Sequence, residues 1–134
     1  MIPAVVLAAG RSSRMGRAKA TLPLDATDTF LTRIVRTFLE ADVDDVVVVV
    51  GHEADAIVSS FSASGLPARF VVNHDYDRGQ WSSLIAGLGV VDRPGVSATL
   101  MTLVDVPLVT ADTVRGLVVA VLAVHPLGVH PNVL

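Results

Sequence analysis

Five consecutive valines, Val46–Val50, are the strongest structural constraint in the chain. β-Branched side chains crowd a helix and pack well in a strand, and a run with no polar side needs cover on both faces. A strand of that kind belongs inside a layered α/β fold. Three further runs fit the same role: Pro3 to Ala9, Arg69 to Asn73 and Ala98 to Val104. Helical spacing fills the gaps. Phe30, Leu31, Ile34, Val35, Phe38 and Leu39 form one apolar face opposite Arg33, Arg36 and Glu40, with Asp28 or Thr29 near the N-cap. Ala54, Ile57, Val58 and Phe61 form a second face that ends near Gly65 and Pro67. Trp81, Leu84, Ile85 and Leu88 form a third, broken by Arg93-Pro94-Gly95, and Trp81 is expected in the core there rather than as a stacking platform. Thr110 is placed to cap a last helix running from about Ala111 into Leu117–Val124.

Alternation of this kind predicts an α/β protein, a three-layer α/β/α sandwich on a mainly parallel sheet, as a single domain over residues 1–134. Right-handed crossovers then fill both helical layers and gather the loops after the strands at one edge. Ligands of open α/β sheets sit at that carboxyl edge, where strand order reverses.

Composition removes several alternatives. With 51% hydrophobic and 17% charged residues, the chain is not a disordered one. The absence of cysteine excludes disulfides, thiolate metal sites and a cysteine nucleophile. A net charge of 10 − 13 = −3, with no basic block, argues against nucleic acid as a partner. Ile2 to Ala9 has no preceding Lys or Arg and is followed by Arg11 and Arg14, unlike a secretory segment. Leu117 to Val124 is too short to cross a bilayer, so no membrane partner is expected, and the absence of cysteine fits a cytoplasmic location.

The loop after the first strand carries the chemistry. Leu7-Ala8-Ala9-Gly10 is followed by Arg11, Ser12, Ser13, Arg14, Gly16, Arg17 and Lys19. Small residues let a flat ring or a phosphate approach the backbone, curled N–H groups bind anions, and Arg14 and Lys19 supply charge. The spacing from Gly10 to Gly16 is one residue too long for a Walker loop, and Lys19 does not follow the second glycine. Asn73 offers a donor and an acceptor to a base or ribose, or forms a turn. Gly79 permits close approach, while Ser82 and Ser83 begin a helix and either attract an anion or cap it. Asp105, between an apolar strand and Val106-Pro107, is a candidate ligand for a hard cation or a turn carboxylate. His52 and His74 read as ordinary loop histidines, and Asp75 and Asp77 as a solvated pair.

The segment from Leu7 to Lys19, completed by Leu22-Pro23-Leu24, resembles the signature L-A-A-G-x-S-x-R-M-G-x-x-K-x-x-L-P-L of the MobA-like nucleotidyltransferases. Asn73, Gly79, Ser82, Ser83, Leu84, Gly87 and Leu88 look like the family's N-x5-G-x2-S-S-L-x2-G-L segment, and Asp105-Val106-Pro107 like its D-x-P. The likeness is greatest to the branch that transfers cytidylyl groups to the molybdenum cofactor. The guanylyl branch usually has a second glycine at Ala9, and sugar-1-phosphate enzymes usually have Gly-Thr at Ser12-Ser13.

The resemblance implies a Rossmann-like fold of the nucleotide-diphospho-sugar transferase type and transfer of a nucleoside monophosphate from a nucleoside triphosphate, CTP favoured. The acceptor would be phosphorylated, such as molybdopterin, with pyrophosphate released and Mg²⁺ required. In this scheme Leu7, Ala8, Ala9, Gly10, Arg11, Ser12, Arg14, Lys19, Asn73, Gly79, Ser82 and Ser83 bind nucleotide. Lys19 and Arg14 are catalytic, and Asp105 holds the metal. Family members are considerably longer and continue beyond the D-x-P helix, so a cut fold with an atypical tail from about residue 123 is expected. A sugar- or alditol-phosphate acceptor, or an inactive nucleotide-binding fragment, are the alternatives.

Overall fold

The structure is a computed structural model that describes residues 2–10, 13–14, 17–104 and 108–116, with 13–14 and 17–18 described as backbone. Its main sheet has four parallel strands, β1 (Ala4–Ala8), β4 (Val46–Val50), β5 (Arg69–Val72) and β6 (Leu100–Leu103), in the order β5-β4-β1-β6. Every residue of β1 and β4 is buried, as uninterrupted apolar runs require. They pair from Ala4 opposite Val46 to Ala8 opposite Val50. Each of the four expected strands is present. The second keeps its expected bounds, and the other three are shorter by one to three residues.

Three helices, α1 (Phe30–Glu40), α2 (Ala54–Ser62) and α3 (Gln80–Val91), connect the strands. The chain runs from β1 outward to β4 and β5, then returns across β1 to β6. With right-handed crossovers, that reversal puts α1 and α2 on one face and α3 on the other. The two cores agree. Leu31, Ile34, Val35, Phe38, Ile57 and Phe61 pack with Val6, Val48 and Val50 on one side. Val91, Ala86, Leu88 and Val90 pack with Val5, Val47 and Val49 on the other. Residues 111–116 are helical, and Val114 joins the α1 face. No helix among the described residues is long and apolar enough to cross a membrane. The expected continuation into Leu117–Val124, the tail from about residue 123, and its histidines lie outside the described residues.

Helix α1 begins with a reciprocal cap. The Thr29 hydroxyl accepts from the Thr32 N–H at 3.2 Å, and the Thr32 hydroxyl accepts from the Thr29 N–H at 2.8 Å. Asp28, the other cap candidate, does something different. Its buried carboxylate accepts from Arg33 Nε at 3.0 Å, Arg36 Nη2 at 3.1 Å and Thr32 Oγ1 at 3.1 Å. Burial pushes this carboxyl up, but the hydrogen bonds from Arg33, Arg36 and Thr32 outweigh it and hold its pKa below the usual carboxylate value.

Trp81 corrects an expectation: it is 71% exposed, not in the core, and Ile85 is 52% exposed. α3 buries Ser83, Gly87 and Val91 instead. Gly87 explains the rotation. A Cβ there would stand 2.6 Å from Val5 Cγ1 and 3.0 Å from Val49 Cγ2, so the helix backbone lies directly on the sheet along its small-residue side. Helical spacing marks the apolar residues of α3 but not which side comes closest.

The amino edge of the sheet is clamped by charge. Asp45, just before β4, accepts from Arg69 Nε at 3.0 Å and Nη2 at 2.9 Å, and from Arg93 Nη2 at 2.8 Å. Burial raises this carboxyl, and the bonds from Arg69 and Arg93 lower it by more, so its pKa also lies below the usual value. One acidic group thereby joins β4, β5 and the chain leaving α3.

Candidate functional site

At the opposite edge, a cleft of about 340 Å³ opens at the carboxyl ends of the neighbouring strands β1 and β6. It lies at the reversal of strand order, the position that open α/β sheets reserve for ligands. β1 and the residues after it contribute Leu7, Ala8, Ala9 and Gly10, and β6 and its extension contribute Leu103 and Val104. The Val104 N–H donates to the Leu7 carbonyl at 3.1 Å, so the two strands stay laddered to the rim.

The loop expected to be a simple anion concavity has structure of its own. Ser13–Arg14 (β2) and Arg17–Ala18 (β3) form an antiparallel pair, followed by a 3₁₀ turn over Lys19–Thr21. That turn brings half-buried Lys19 and buried Ala20 into the cleft wall. Lys19 is the cation among the described lining residues. Arg11, Ser12 and Asp105 lie outside the described residues, as does the side chain of Arg14.

The third wall comes from the segment between β5 and α3. A 3₁₀ turn, Tyr76–Arg78, precedes Gly79, whose φ of +98° lies where glycine has no steric penalty. Tyr76, Asp77, Gly79, Gln80 and Ser83 line the cleft. Asp75 and Asp77 are both exposed, as the sequence suggested, and Asp77 also lines the cleft.

Asn73 takes the turn role that the sequence left open beside base or ribose contact. It is buried and is not a lining residue. Its Nδ2 donates to Ser82 Oγ at 2.9 Å and Ser83 Oγ at 3.0 Å, and its Oδ1 accepts from the Asp75 N–H at 3.0 Å. These bonds tie the end of β5 to the first turn of α3. Ser82 belongs to this brace and is not a lining residue either. Ser83 belongs to both the brace and the cleft.

Sequence reasoning passed over Tyr76, Gln80, Ala20, Leu103 and Val104. Gly51, directly after the five valines, held a usable signal for Tyr76. A Cβ at Gly51 would meet Tyr76 Cβ at 2.6 Å, so this glycine lets the tyrosine lie on the end of β4. His52 packs beside Tyr76 with ring centroids 5.8 Å apart, and its backbone N–H donates to the Ala9 carbonyl at 3.3 Å.

Hard divalent cations such as Mg²⁺ take carboxylate and phosphate oxygens and keep several waters. Among the described residues, no group of three or more His, Cys, Asp or Glu is placed to hold a metal, and Asp77 is the carboxylate lining the cleft. Such a wall fits a cation held by one or two carboxylates together with a polyphosphate, rather than an all-protein cage.

A parallel sheet with its cleft at the strand-order reversal, lined by a small-residue strand end and a lysine, defines a Rossmann-like α/β ligand-binding fold. The MobA-like NTP transferase domain matches residues 4–130, and the chain belongs to that family. A nucleotidyl transferase from Methanothermobacter has a similar structure, with a TM-score of 0.75, 33% identity, and coverage of 87% of this chain and 56% of that one. A Mycobacterium tuberculosis protein solved in complex with manganese gives a TM-score of 0.69 and 28% identity over 89% of this chain and 58% of that one. Nicotine blue oxidoreductase of Paenarthrobacter nicotinovorans is 36% identical over 110 residues, 73% of this chain and 52% of that protein. The chain thus spans between half and three-fifths of the length of these proteins.

Proposed function

We propose that this cleft binds a nucleoside triphosphate, CTP favoured, for transfer of its nucleoside monophosphate to a phosphorylated acceptor such as molybdopterin. An acceptor phosphate oxygen attacks the α-phosphorus, forming a new P–O bond. The bond from the α-phosphorus to the bridging oxygen breaks, and pyrophosphate leaves with that electron pair. The acceptor phosphate is ionised at neutral pH, so no general base is needed and catalysis is alignment plus charge neutralisation.

Leu7, Ala8, Ala9 and Gly10 form the approach for the nucleotide, with Gly79 and Ser83 opposite. Lys19 stabilises the charge that builds on the phosphoryl oxygens. Arg14, with Arg11 and Ser12, holds the β- and γ-phosphates, and Asn73 and Ser82 act from behind the wall. Mg²⁺, held by Asp105 and the phosphates, would neutralise charge on the triphosphate. The observation that carries this reading is Lys19 in the wall of a cleft at the strand-order reversal of a MobA-like domain.

A redox role is the competing reading, favoured by the name of the Paenarthrobacter relative. The two separate cleanly. Incubation with CTP, GTP or ATP, Mg²⁺ and either molybdopterin or a sugar or alditol phosphate should release pyrophosphate in step with acceptor consumed. Oxidation of a reduced nicotinamide cofactor without pyrophosphate would favour the redox reading. Nucleotide binding with no transfer to any acceptor would reduce the role of this chain to binding.

A further inference from the structure

We infer that a second groove, on the α1 side of the molecule, binds a free α-amino acid with an apolar side chain. It shares no lining residue with the nucleotide cleft, and the inference does not depend on the nucleotide reading. The groove holds about 550 Å³ between α1, the turn before it and the segment 108–111. Arg33, Arg36, Thr37 and Glu40 line it from α1, a spacing that sets all four on one helical face. At the far end Arg115 Nη2 donates to the Glu40 carbonyl, which ties the helical residues 111–116 to the end of α1 and fixes the facing wall.

Thr37 separates this groove from an ordinary surface furrow. The residue is 8% exposed and lines the groove, yet its hydroxyl has no hydrogen-bond partner among the described residues. A hydroxyl in a helix commonly returns its proton to the carbonyl four residues back, as Ser62 does to Val58 at 2.9 Å. Thr37 does not, and its proton is available to a ligand. Arg36 is in a similar position. Its Nε and Nη2 donate to Asp28 Oδ1 at 3.3 and 3.1 Å, which leaves the N–H groups of Nη1 without an acceptor among the described residues.

Charge sets the class of ligand. Arg33 and Arg36 face Asp25, Asp28 and Glu40, so the lining carries 2 − 3 = −1, which disfavours a simple anion. Asp28 binds both arginines and Asp25 binds Arg33, and the exposed Glu40 carboxylate is left with no partner among the described residues. Arg36 and Glu40 have the spacing of a helix ion pair and do not form one, because Asp28 holds the guanidinium. A zwitterion satisfies both groups. Its carboxylate accepts from Arg36 and Thr37, and its ammonium donates to Glu40. Four residues of helix separate Arg36 from Glu40 by about 6 Å along the axis, a span that a carboxylate and an ammonium on one carbon bridge with a hydrogen bond at each end. On the facing wall, Leu108 is 72% and Val109 42% exposed, an apolar rest for the ligand side chain.

The test is calorimetric titration of the full chain with L-leucine in the absence of nucleotide. Saturable binding at one site is expected. N-Acetylleucine, which lacks the ammonium, and leucinamide, which lacks the carboxylate, should each bind about tenfold more weakly or worse. Glu40→Gln should weaken leucine binding about tenfold and leave N-acetylleucine binding as it was, closing the gap between the two. Thr37→Val should weaken leucine about five- to tenfold, the worth of one hydrogen bond, without lowering the melting temperature, because the hydroxyl supports no other bond. Should Thr37→Val fail to fold, Glu40→Gln carries the test, since residue 40 is exposed and its side chain holds nothing in place. No saturable leucine binding overturns the inference. Equal binding of leucine and N-acetylleucine, or leucine binding that Glu40→Gln leaves intact, overturns it too. Failure of the wild type to bind CTP would overturn the nucleotide reading and leave leucine binding in this groove standing.

Discussion

The two edges of the central sheet are built from opposite materials. At the amino edge, Asp45 takes three hydrogen bonds from two arginines and its carboxyl is held below the usual pKa. At the carboxyl edge, Leu7 to Gly10, Leu103 and Val104 end in a cleft whose described charged groups are Lys19 and Asp77. One edge uses its charges to join three segments of chain. The other leaves room for a charged ligand. Stability and function should therefore respond separately to changes at the two ends.

The largest expected effect lies at the carboxyl edge. Lys19→Ala should lower turnover about 10²- to 10³-fold with a smaller change in nucleotide affinity, measured as kcat against Kd. Equal losses in both would make Lys19 a binding residue only. Beneath the cleft, Gly87→Ala places a methyl carbon 2.6 Å from Val5 Cγ1 and should destabilise the chain by about 1–3 kcal/mol, seen in denaturant unfolding. Little or no loss would mean that α3 is not seated directly on β1.

At the amino edge, Asp45→Asn should cost roughly 1 kcal/mol, a modest figure because the arginines remain partly exposed, and should leave nucleotide affinity unaltered. A parallel loss of affinity would contradict the separation of the edges. The pH response follows from the same groups. Asp28 and Asp45 have folded-state pKa values below the ordinary 3.8, so their contribution is fully present above that value. It is lost as pH falls through the lowered folded values. Acid unfolding of the wild type should therefore steepen below about pH 4, and Asp45→Asn should flatten that part of the curve. The smallest effect belongs to Trp81→Ala, within about 0.5 kcal/mol, since the side chain is 71% exposed. Because Trp81 is the one tryptophan in the chain, strong acrylamide quenching of its fluorescence checks the same point.

The contrast between the edges also divides what was legible in the sequence. Val46–Val50 and Pro3–Ala9 announced buried parallel strands because an apolar run without polar alternation has no other stable place. Leu7 to Gly10 and Lys19 were readable for a similar reason, since small residues and a cation directly after a central strand have a fixed geometric meaning. The α3 wall was not readable. Trp81 and Ile85 carry the hydrophobicity, but Gly87 carries the close approach, and no count of apolar residues reveals that a missing Cβ decides the docking face. Asn73 likewise offers the same groups whether it meets a base or braces two serines. Only the position of Ser82 and Ser83, nine and ten residues further on, distinguishes these roles. Asp45 binds partners 24 and 48 residues distant, Arg69 and Arg93, a pairing that no local pattern contains.

Amide hydrogen exchange with and without CTP and Mg²⁺ joins the two edges in one experiment. Binding in the cleft should slow exchange at Leu7 to Gly10, at Lys19 and Ala20, and from Tyr76 to Ser83, while residues around Asp45, Arg69 and Arg93 keep their rates. Protection at the amino edge, or no protection at the carboxyl edge under saturating nucleotide, would contradict the assignment of this cleft as the nucleotide site.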